Sequence, residues 1–203
     1  MKTSRVIIVG CGRVGRELIR QIRDRAPLLR RRGLDLRVVG LVERRSVALA
    51  PAGLEQQELS AVADSQDGPE ALAFSRPHPG ADVLWRQTGA LSAPAGILVD
   101  VTAEPAASLH LDWLRAGWSV VTANKKALSD SMGSFDAIMA VADHIAGPRY
   151  FFETTVGAGL PVIGTLQSLL ATGDEVVEIA CAVSGTLGSV FAACDRGLVY
   201  FSR

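Results

Sequence analysis

The sequence predicts an α/β fold in which helices cover both faces of a parallel sheet, and two observations carry this prediction. Short apolar, β-branched runs alternate with amphipathic segments, as happens when strands and helices follow one another along a chain. The runs are RVIIVG (5–10), LRVVGLVE (36–43), GILVDVTA (96–103) and SVVTAN (119–124). A glycine-rich turn follows the first run directly, which is typical of a strand that passes into a helix in a doubly wound sheet.

The composition is that of a globular chain and excludes several classes of function. Of the 203 residues, 48% are hydrophobic and 21% are charged, and the formal net charge is zero. Nothing therefore points to nucleic acid as a partner. No apolar run reaches the roughly 18 residues of a membrane span, and no signal peptide precedes the first strand. We expect a cytoplasmic protein. Its cysteines, Cys11, Cys181 and Cys194, are widely spaced without a metal-ligand pattern, which fits a reducing compartment.

The glycine-rich turn GCGRVG places Gly10, Gly12 and Gly15 in G-x-G-x-x-G spacing. In a dinucleotide-binding unit the first glycine permits the tight turn, the second lets a pyrophosphate approach the backbone, and the third lets the helix pack on the strand. The helix predicted next has apolar residues four apart, at Val14, Leu18 and Ile22. The spacing alone is weak evidence, but a strand before it and a helix after it are the required context. We therefore predict a Rossmann-type doubly wound parallel sheet that binds NADP or NAD.

The end of the second predicted strand bears on which dinucleotide is bound. Glu43 ends this strand, and an acidic residue there accepts hydrogen bonds from the adenosine ribose. Arg44 and Arg45 follow at once, and an arginine at this place can hold the 2′-phosphate of NADP. The arginines can equally well begin a solvated helix. The choice between NAD and NADP therefore stays open.

Two lysines stand side by side just after another predicted strand. The chain has 18 arginines but only three lysines, and two of these are Lys125 and Lys126 in VTANKKAL (121–128). Lysine is a compact ammonium that can give up its proton, whereas arginine stays charged. Thr102 and Asn124 end neighbouring predicted strands, and ligands of doubly wound sheets bind beyond such ends. We expect Thr102, Asn124 and the lysine pair at the mouth of a cofactor crevice, although two lysines can also fall together on a loop by chance.

The remaining predicted elements of the first part are less distinctive. Helices are predicted over 54–65, 81–91 and 106–118, and the prolines of SRPHPG indicate a loop over 75–80. The three histidines, at 78, 110 and 144, have no Cys or His near enough in sequence to indicate a metal site.

Beyond residue 128 the sequence predicts an incomplete α+β substrate domain, so that we divide the chain into domains 1–128 and 129–203. The predicted elements are a helix over 127–145, a strand over 150–155, a helix from Pro161 to Ala171, a strand over 175–183 and a helix that begins near Gly185. The turn VGAGL (156–160) exposes several carbonyl groups close together. Carbonyl oxygens suit a hard cation, although a simple tight turn is the default.

The chain resembles the homoserine dehydrogenase family. The resemblance rests on the order and spacing of GCGRVG, VDVTA (99–103), VTANKKAL, FETTVGAGLPVIGTL (152–166), ATGDEV (171–176) and VSGTLGSVF (183–191). It implies an NADPH- or NADH-dependent reduction of aspartate 4-semialdehyde to homoserine, on the route to threonine, methionine and isoleucine. It also implies a homodimer when the protein is complete.

The resemblance assigns roles to individual residues. It implies that Gly12, Arg13, Val14, Thr102 and Lys125 contact the dinucleotide, and that Lys125 lies beside the reacting centre as the catalytic lysine. It further implies a monovalent-cation site, usually sodium, formed by backbone carbonyls. The residues that match this site are Glu153, Val156, Ala158 and Leu160.

The sequence departs from the family pattern at its C-terminal end. The family continues with a G-Y-x-E-P-D-P-type motif and with an acidic residue and a lysine that bind the amino acid, whereas this sequence ends at Arg203. We therefore expect a fragment or truncated product. Two alternatives to the dehydrogenase stay open: an NAD(P)-binding module without turnover, and another Rossmann-type reductase with a different small substrate.

Overall fold

A computed structural model describes residues 1–77, 96–142, 147–180 and 185–196, without the side chains of 186 and 187. The predicted helix over 81–91 lies outside this part, as do His78, His144 and the last residues of the strand predicted over 175–183. The described chain forms two compact units, Met1–Phe151 and Phe152–Arg203. The predicted domain boundary after residue 128 stays a prediction.

The first unit contains a seven-stranded sheet. Its strands are β1 (Lys2–Val9), β2 (Leu34–Val42), β3 (Ser46–Leu49), β4 (Arg76–Pro77), β5 (Ile97–Asp100), β6 (Ser119–Thr122) and β7 (Tyr150–Phe151). Their order across the sheet is β4-β3-β2-β1-β5-β6-β7. The five strands from β2 to β7 in this order are parallel, and β3 and β4 extend the sheet antiparallel. Strands β2 to β4 thus lie on one side of β1 and β5 to β7 on the other, which confirms the doubly wound α/β fold.

Helices follow β1, β3, β5 and β6 along the chain. They are α1 (Arg13–Arg31), α2 (Gln56–Asp64), α3 (Ala107–Arg115), α4 (Lys126–Ser129) and α5 (Met132–Ala142). Helix α1 packs on α2, and α3 packs on α5. Alternation along β1 serves both faces of the sheet: Val6 and Ile8 join the apolar cluster under α1 and α2, whereas Ile7 between them points to the other face.

The buried face of α1 differs from the prediction. Val14 is exposed, and the residues that α1 buries are Gly15, Ile19 and Ile22, with Leu18 half-buried. The predicted spacing of four residues drifts around a helix of 3.6 residues per turn, so that Val14 falls outside the buried stripe. Its position at the start of α1 instead turns Val14 toward the solvent beside the glycine turn.

The second unit is described by itself. It begins with a 3₁₀ turn (Glu153–Thr155), followed by α6 (Ile163–Ala171) and α7 (Gly185–Asp195). The predicted strand over 150–155 is therefore shorter than expected and ends at Phe151. The strand predicted over 175–183 is wrong for its described part, because residues 174–180 form no strand. A strand needs a partner to complete its backbone hydrogen bonds, and residues 174–180 pair with no described strand.

Candidate dinucleotide site

The glycine turn between β1 and α1 needs glycine at its first and third positions. Gly10 has a φ of +98°, and a Cβ there would lie 3.1 Å from Cγ2 of Thr102. A Cβ on Gly15 would lie 1.9 Å from the carbonyl oxygen of Gly10. The turn therefore passes so close to the end of β5 and to the start of α1 that side chains are excluded from both positions.

Gly12 faces open space and the start of α1 carries free donors. A Cβ on Gly12 would meet no atom within 4 Å. Gly12 caps α1 without a side-chain hydrogen bond, and the first turn contains no acidic residue. The first helical bond runs from the N–H of Arg16 to the carbonyl of Gly12, so that the N–H groups of residues 13–15 have no acceptor among the described residues. Unpaired amides and the positive end of the helix dipole fit a phosphate group.

Glu43 contacts the glycine turn directly. Its Oε1 accepts the N–H of Cys11 at 3.0 Å, and Gly68, with a φ of +57°, approaches so closely that a Cβ there would lie 3.0 Å from Cδ of Glu43. Burial is the main reason that the pKa of the Cys11 thiol is raised to about 12, and the negative charge of Glu43 raises it as well. The Glu43 carboxylate is thus held at the end of β2, where the prediction put it, while Arg44 and Arg45 are exposed.

A buried carboxylate, Asp100, organises the end of β5. It is 0% exposed and accepts four hydrogen bonds: from the N–H of Thr102 at 2.9 Å, from its hydroxyl at 2.7 Å, from Nε2 of His110 at 2.8 Å and from Nδ2 of Asn124 at 2.8 Å. Burial opposes its ionisation, but the bonds from His110, Thr102 and Asn124 outweigh burial and hold the pKa of Asp100 below its usual value.

The network continues from His110 to Tyr150. An ionised Asp100 can only accept, so Nε2 of His110 donates to it, and Nδ1 of the same ring lies 2.8 Å from the hydroxyl oxygen of Tyr150. His110 is 0% exposed. Burial, and after it the charge of Asp100, raises the pKa of Tyr150. The three groups form a chain of hydrogen bonds under α3 that joins β5 to β7.

The predicted cofactor residues Thr102 and Asn124 come together at this network. Asn124 is 1% exposed, and its Nδ2 also lies 3.1 Å from Oγ1 of Thr102 and 2.8 Å from the carbonyl of Glu104. Its Oδ1 accepts the N–H of Lys126 at 3.1 Å. The side chain of Asn124 is therefore engaged within the protein and positions the start of the lysine pair, and its direct contact with a cofactor stays a prediction.

The two lysines differ in their surroundings. Both are exposed, and Lys125 caps α4, where its carbonyl accepts the N–H groups of Leu128 and Ser129. Lys126 lines a small cavity beside Pro105 and Asp130. Lys125 is not among the residues that line this cavity.

Sequence reasoning missed Asp100, His110 and Tyr150. Asp100 is a carboxylate inside the otherwise apolar run predicted as a strand over 96–103, two residues before Thr102, and this is a signal that could have found it. His110 and Tyr150 carry no such signal, because only the packing of α3 and β7 brings them to Asp100.

The predicted cation turn lies in the second unit and has unusual backbone. Consecutive residues Gly157 and Ala158 have φ values of 71° and 55°, and a left-handed alanine is strained. The carboxylate of Glu153 accepts the N–H of Ile163 at 2.8 Å and that of Gly164 at 2.7 Å, so that it caps α6. Among the described residues, no group of three His, Cys, Asp or Glu side chains can hold a metal ion.

A family model described as the NAD-binding domain of homoserine dehydrogenase matches residues 10–153. The chain belongs to the homoserine dehydrogenase family. It is similar to the bifunctional aspartokinase/homoserine dehydrogenase 2 of Arabidopsis thaliana, with 38% identity over 91% of this chain and 19% of the relative. It is also similar to the homoserine dehydrogenase of Emericella nidulans, with 49% identity over 49% of this chain and 27% of the relative.

Solved structures agree with the family. The crystal structure of homoserine dehydrogenase from Thermoplasma acidophilum matches with a TM-score of 0.61 and 28% identity, over 84% of this chain and 49% of that one. The chain spans about a fifth of the length of the bifunctional plant relatives. No helix among the described residues is both long and apolar enough to cross a membrane.

Proposed function

We propose that the chain binds NAD(P)H at the carboxyl edge of its sheet and forms the cofactor-binding part of a homoserine dehydrogenase. Such an enzyme interconverts aspartate 4-semialdehyde and homoserine, on the route to threonine, methionine and isoleucine. The observation that carries the proposal is the glycine turn, which leaves open space over Gly12 and free amides at residues 13–15 beside the point where the strand order reverses.

The residues of the site fit the parts of a dinucleotide. The turn at Gly12, Arg13 and Val14 would hold the pyrophosphate, and Thr102 would lie beside the nicotinamide half. The nicotinamide, when bound, supplies or accepts the hydride. Lys125 would orient the aldehyde oxygen of the substrate and neutralise the charge that develops on it, because an ammonium stabilises an oxyanion.

Two groups near β2 favour different dinucleotides. The fixed carboxylate of Glu43 suits the ribose hydroxyls of NAD and would repel a 2′-phosphate, whereas the exposed guanidinium groups of Arg44 and Arg45 suit that phosphate. Titration calorimetry with NADH and with NADPH shows which of these groups determines the preference. A preference for NADH that Glu43→Gln abolishes would assign the choice to the carboxylate, and a preference for NADPH that Arg44→Ala abolishes would assign it to the arginine.

The binding proposal is tested with Gly12→Val, because nothing within 4 Å obstructs the new side chain and the fold should be kept. The branched side chain would occupy the space of the pyrophosphate. We expect cofactor affinity to fall by more than about tenfold, roughly 1.4 kcal/mol. Gly133→Val, at an exposed position in α5, is the matched control. Equal affinity in both variants and the parent would exclude this binding site.

Turnover separates the proposed enzyme from its alternatives. The oxidation of NADPH and of NADH is followed with aspartate 4-semialdehyde and with a panel of other small aldehydes. Consumption that depends on aspartate 4-semialdehyde supports the dehydrogenase. Tight cofactor binding without turnover of any aldehyde, both in this chain and in a version that carries the family's G-Y-x-E-P-D-P-type motif, would favour an NAD(P)-binding module, and turnover of a different aldehyde would favour another reductase.

A sodium ion at the turn over 153–160 belongs to the same proposal. The candidate ligands are the carbonyl oxygens of Glu153, Val156, Ala158 and Leu160, and the left-handed conformations of Gly157 and Ala158 support a tight turn at this place. We expect the melting temperature to be higher in sodium chloride than in choline chloride at equal ionic strength. Equal melting temperatures would argue against the ion.

A homodimer is also proposed, on the basis of the apolar side chains exposed in the second unit.

A further inference from the structure

A cavity of about 480 Å³ lies in the first unit at the end of the sheet opposite the glycine turn. It is enclosed by the C-terminal half of α1, the beginning of β2 and the segment from Ala52 to Gln56 that leads into α2. Asp35, at this end of β2, is eight residues before Glu43, which corresponds to roughly 26 Å along the strand. The cavity is therefore separate from the candidate dinucleotide site, and its volume suits a small organic molecule.

The charged residues in the lining of the cavity are Arg23, Arg30, Arg37, Asp35 and Glu55. Asp35 is 3% exposed, and each of its carboxylate oxygens accepts one bond, from Nε of Arg30 at 3.0 Å and from Nε of Arg37 at 2.7 Å. The hydrogen bonds from Arg37 and Arg30 lower the pKa of Asp35. One carboxylate thus faces two guanidinium groups, and a second carboxylate, that of Glu55, lines the cavity as well.

The two arginines retain donors for a further anion. Both contact Asp35 through Nε, and their terminal nitrogens have no acceptor among the described residues. The stem of Arg37 is held against the turn at Gly53, where a Cβ would lie 3.2 Å from Cβ of Arg37 and where φ is +98°. A third rim residue, Arg23, is neutralised by Asp24 and Asp64. Terminal guanidinium nitrogens bind carboxylates well, because two N–H groups point in the same direction.

The floor of the cavity is apolar. It is formed by Ile22, Ala26, Pro27, Leu54 and Leu59. Pro27 stands inside α1 and has no N–H, so that the carbonyl of Arg23 lacks its usual helical donor. The cavity thus combines apolar residues with two guanidinium groups whose terminal nitrogens can still donate, and this pairing suits a molecule that has an apolar body and an anionic head.

We propose that this cavity is a second ligand site that takes a small organic carboxylate with a short aliphatic body. The terminal nitrogens of Arg30 and Arg37 bind the carboxylate, and the aliphatic body lies on Ile22, Ala26 and Leu54. The site is independent of the dinucleotide site, so that its occupancy can be measured with the dinucleotide site filled or empty.

The test uses hexanoate as the probe, with two partial probes beside it. Acetate has the anion without the body, and hexanol has the body without the anion. Binding to the whole chain is followed by titration calorimetry and by the shift in melting temperature. We expect saturable binding of hexanoate, at most weak binding of acetate and hexanol, and no change in hexanoate affinity when NADPH is present. Equal binding of hexanol and hexanoate, or no saturable binding of hexanoate, would overturn the proposal.

Variants assign the binding to this cavity. Arg30→Gln removes one guanidinium while Arg37 still pairs with Asp35, and Arg31→Gln is the matched control on the same turn of α1, outside the cavity. We expect hexanoate affinity to fall by about tenfold or more in Arg30→Gln, as for the loss of a hydrogen bond to a charged group, and to stay unchanged in Arg31→Gln.

A second variant, Ala26→Phe, fills the cavity from the floor and should abolish hexanoate binding without removing a charge. It keeps the proposal testable if the loss of Arg30 alters the fold. Parental affinity in both Arg30→Gln and Ala26→Phe would show that hexanoate binds elsewhere.

Discussion

At the scale of single residues, Asp100 connects the candidate cofactor residues to the interior. It holds Thr102 and Asn124 by direct hydrogen bonds, and Asn124 in turn accepts the N–H of Lys126. A carboxylate suits this position because it can accept four bonds, whereas an amide of the same shape would present donors to donors.

Asp100→Asn is therefore expected to destabilise the protein by about 2–4 kcal/mol, since the replacement leaves buried donors without an acceptor. Cofactor affinity should fall as well, because Thr102 and Asn124 lose their common partner. Urea denaturation and titration calorimetry measure the two effects. Asp112→Asn, on the exposed side of α3, is the matched control. Parental stability in Asp100→Asn would contradict the role assigned to this carboxylate.

The same carboxylate predicts a dependence of stability on pH. The folded-state pKa of Asp100 is lowered, so that its contribution is present above the unfolded pKa of about 4 and is lost as the pH falls through the folded pKa. We expect the free energy of unfolding to decrease less steeply in Asp100→Asn than in the parent as the pH is lowered from about 6 to about 3. The lowered pKa of Asp35 also makes stability fall at low pH, but it does so equally in the parent and in Asp100→Asn. Curves of equal steepness would argue against a lowered pKa at Asp100.

The lysine pair gives the third prediction at this scale. Lys126 lines the cavity beside Pro105 and Asp130, whereas Lys125 does not, and the family resemblance favours Lys125 as the residue beside the reacting centre. Loss of one preorganised charge-stabilising donor typically costs ~10²–10³ in turnover. In the active enzyme we expect a loss of that order in kcat for Lys125→Ala, and a change within a few-fold for Lys126→Ala. Steady-state kinetics that reverse the two effects would transfer the role to Lys126.

At the scale of elements, α6 depends on a residue outside the helix. The carboxylate of Glu153 accepts the first two amides of the helix, at Ile163 and Gly164, and a Cβ on Gly164 would lie 2.9 Å from Oε2 of Glu153. The negative charge also opposes the positive end of the helix dipole. The side chain that precedes the candidate cation turn therefore stabilises the start of a helix.

Glu153→Ala is expected to reduce the stability of α6 by about 1–2 kcal/mol, as for the loss of a helix cap. Amide hydrogen exchange at residues 163–171 measures this effect. Glu175→Ala, at an exposed position of the same unit, is the control. Faster exchange confined to α6 would agree with capping, whereas unchanged exchange would contradict it. If the melting temperature of Glu153→Ala still rises in sodium chloride, the ion is bound through the backbone carbonyl of this residue and does not need its side chain.

The edge of the sheet beyond β2 is an element that the sequence did not predict. Strands β3 and β4 have four and two residues, and their pairing is antiparallel. SVAL (46–49) is too short to stand out from the arginines before it, and only the hydrogen bonds to β2 make it a strand. A short strand depends on its neighbour more than on its own propensity.

At the scale of the whole molecule, the second unit exposes large apolar side chains. Val177 is 96% exposed, Ile179 67% and Leu170 50%, and residues 174–180 pair with no described strand. Exposed apolar patches of this kind associate with other surfaces.

We therefore predict that the chain self-associates in solution. The prediction is checked by sedimentation velocity over a range of protein concentrations, where the weight-average sedimentation coefficient should rise with concentration. The variant Leu170→Gln/Val177→Gln/Ile179→Gln should shift the chain toward the monomer, whereas Val14→Gln, at an exposed apolar residue of the first unit, should not. A parent protein that stays monomeric at all concentrations would contradict the prediction.

The sequence by itself determined the parallel sheet, the glycine turn and the strand ends that bear Thr102 and Asn124, because these depend on local patterns. A buried parallel strand needs a continuous apolar run, and a tight turn needs glycine at set positions. The family followed from the same motifs, since their order and spacing are properties of the sequence alone.

Only the tertiary structure decided which polar groups meet. Asp100, His110 and Tyr150 are far apart in the chain, and the packing of α3 and β7 brings them within hydrogen-bond distance. Packing also decided that Val14 is exposed, that residues 174–180 form no strand, and that Arg30 and Arg37 share Asp35 at the rim of a cavity. Local patterns describe a residue's neighbours along the chain, whereas burial and pairing depend on neighbours that only folding supplies.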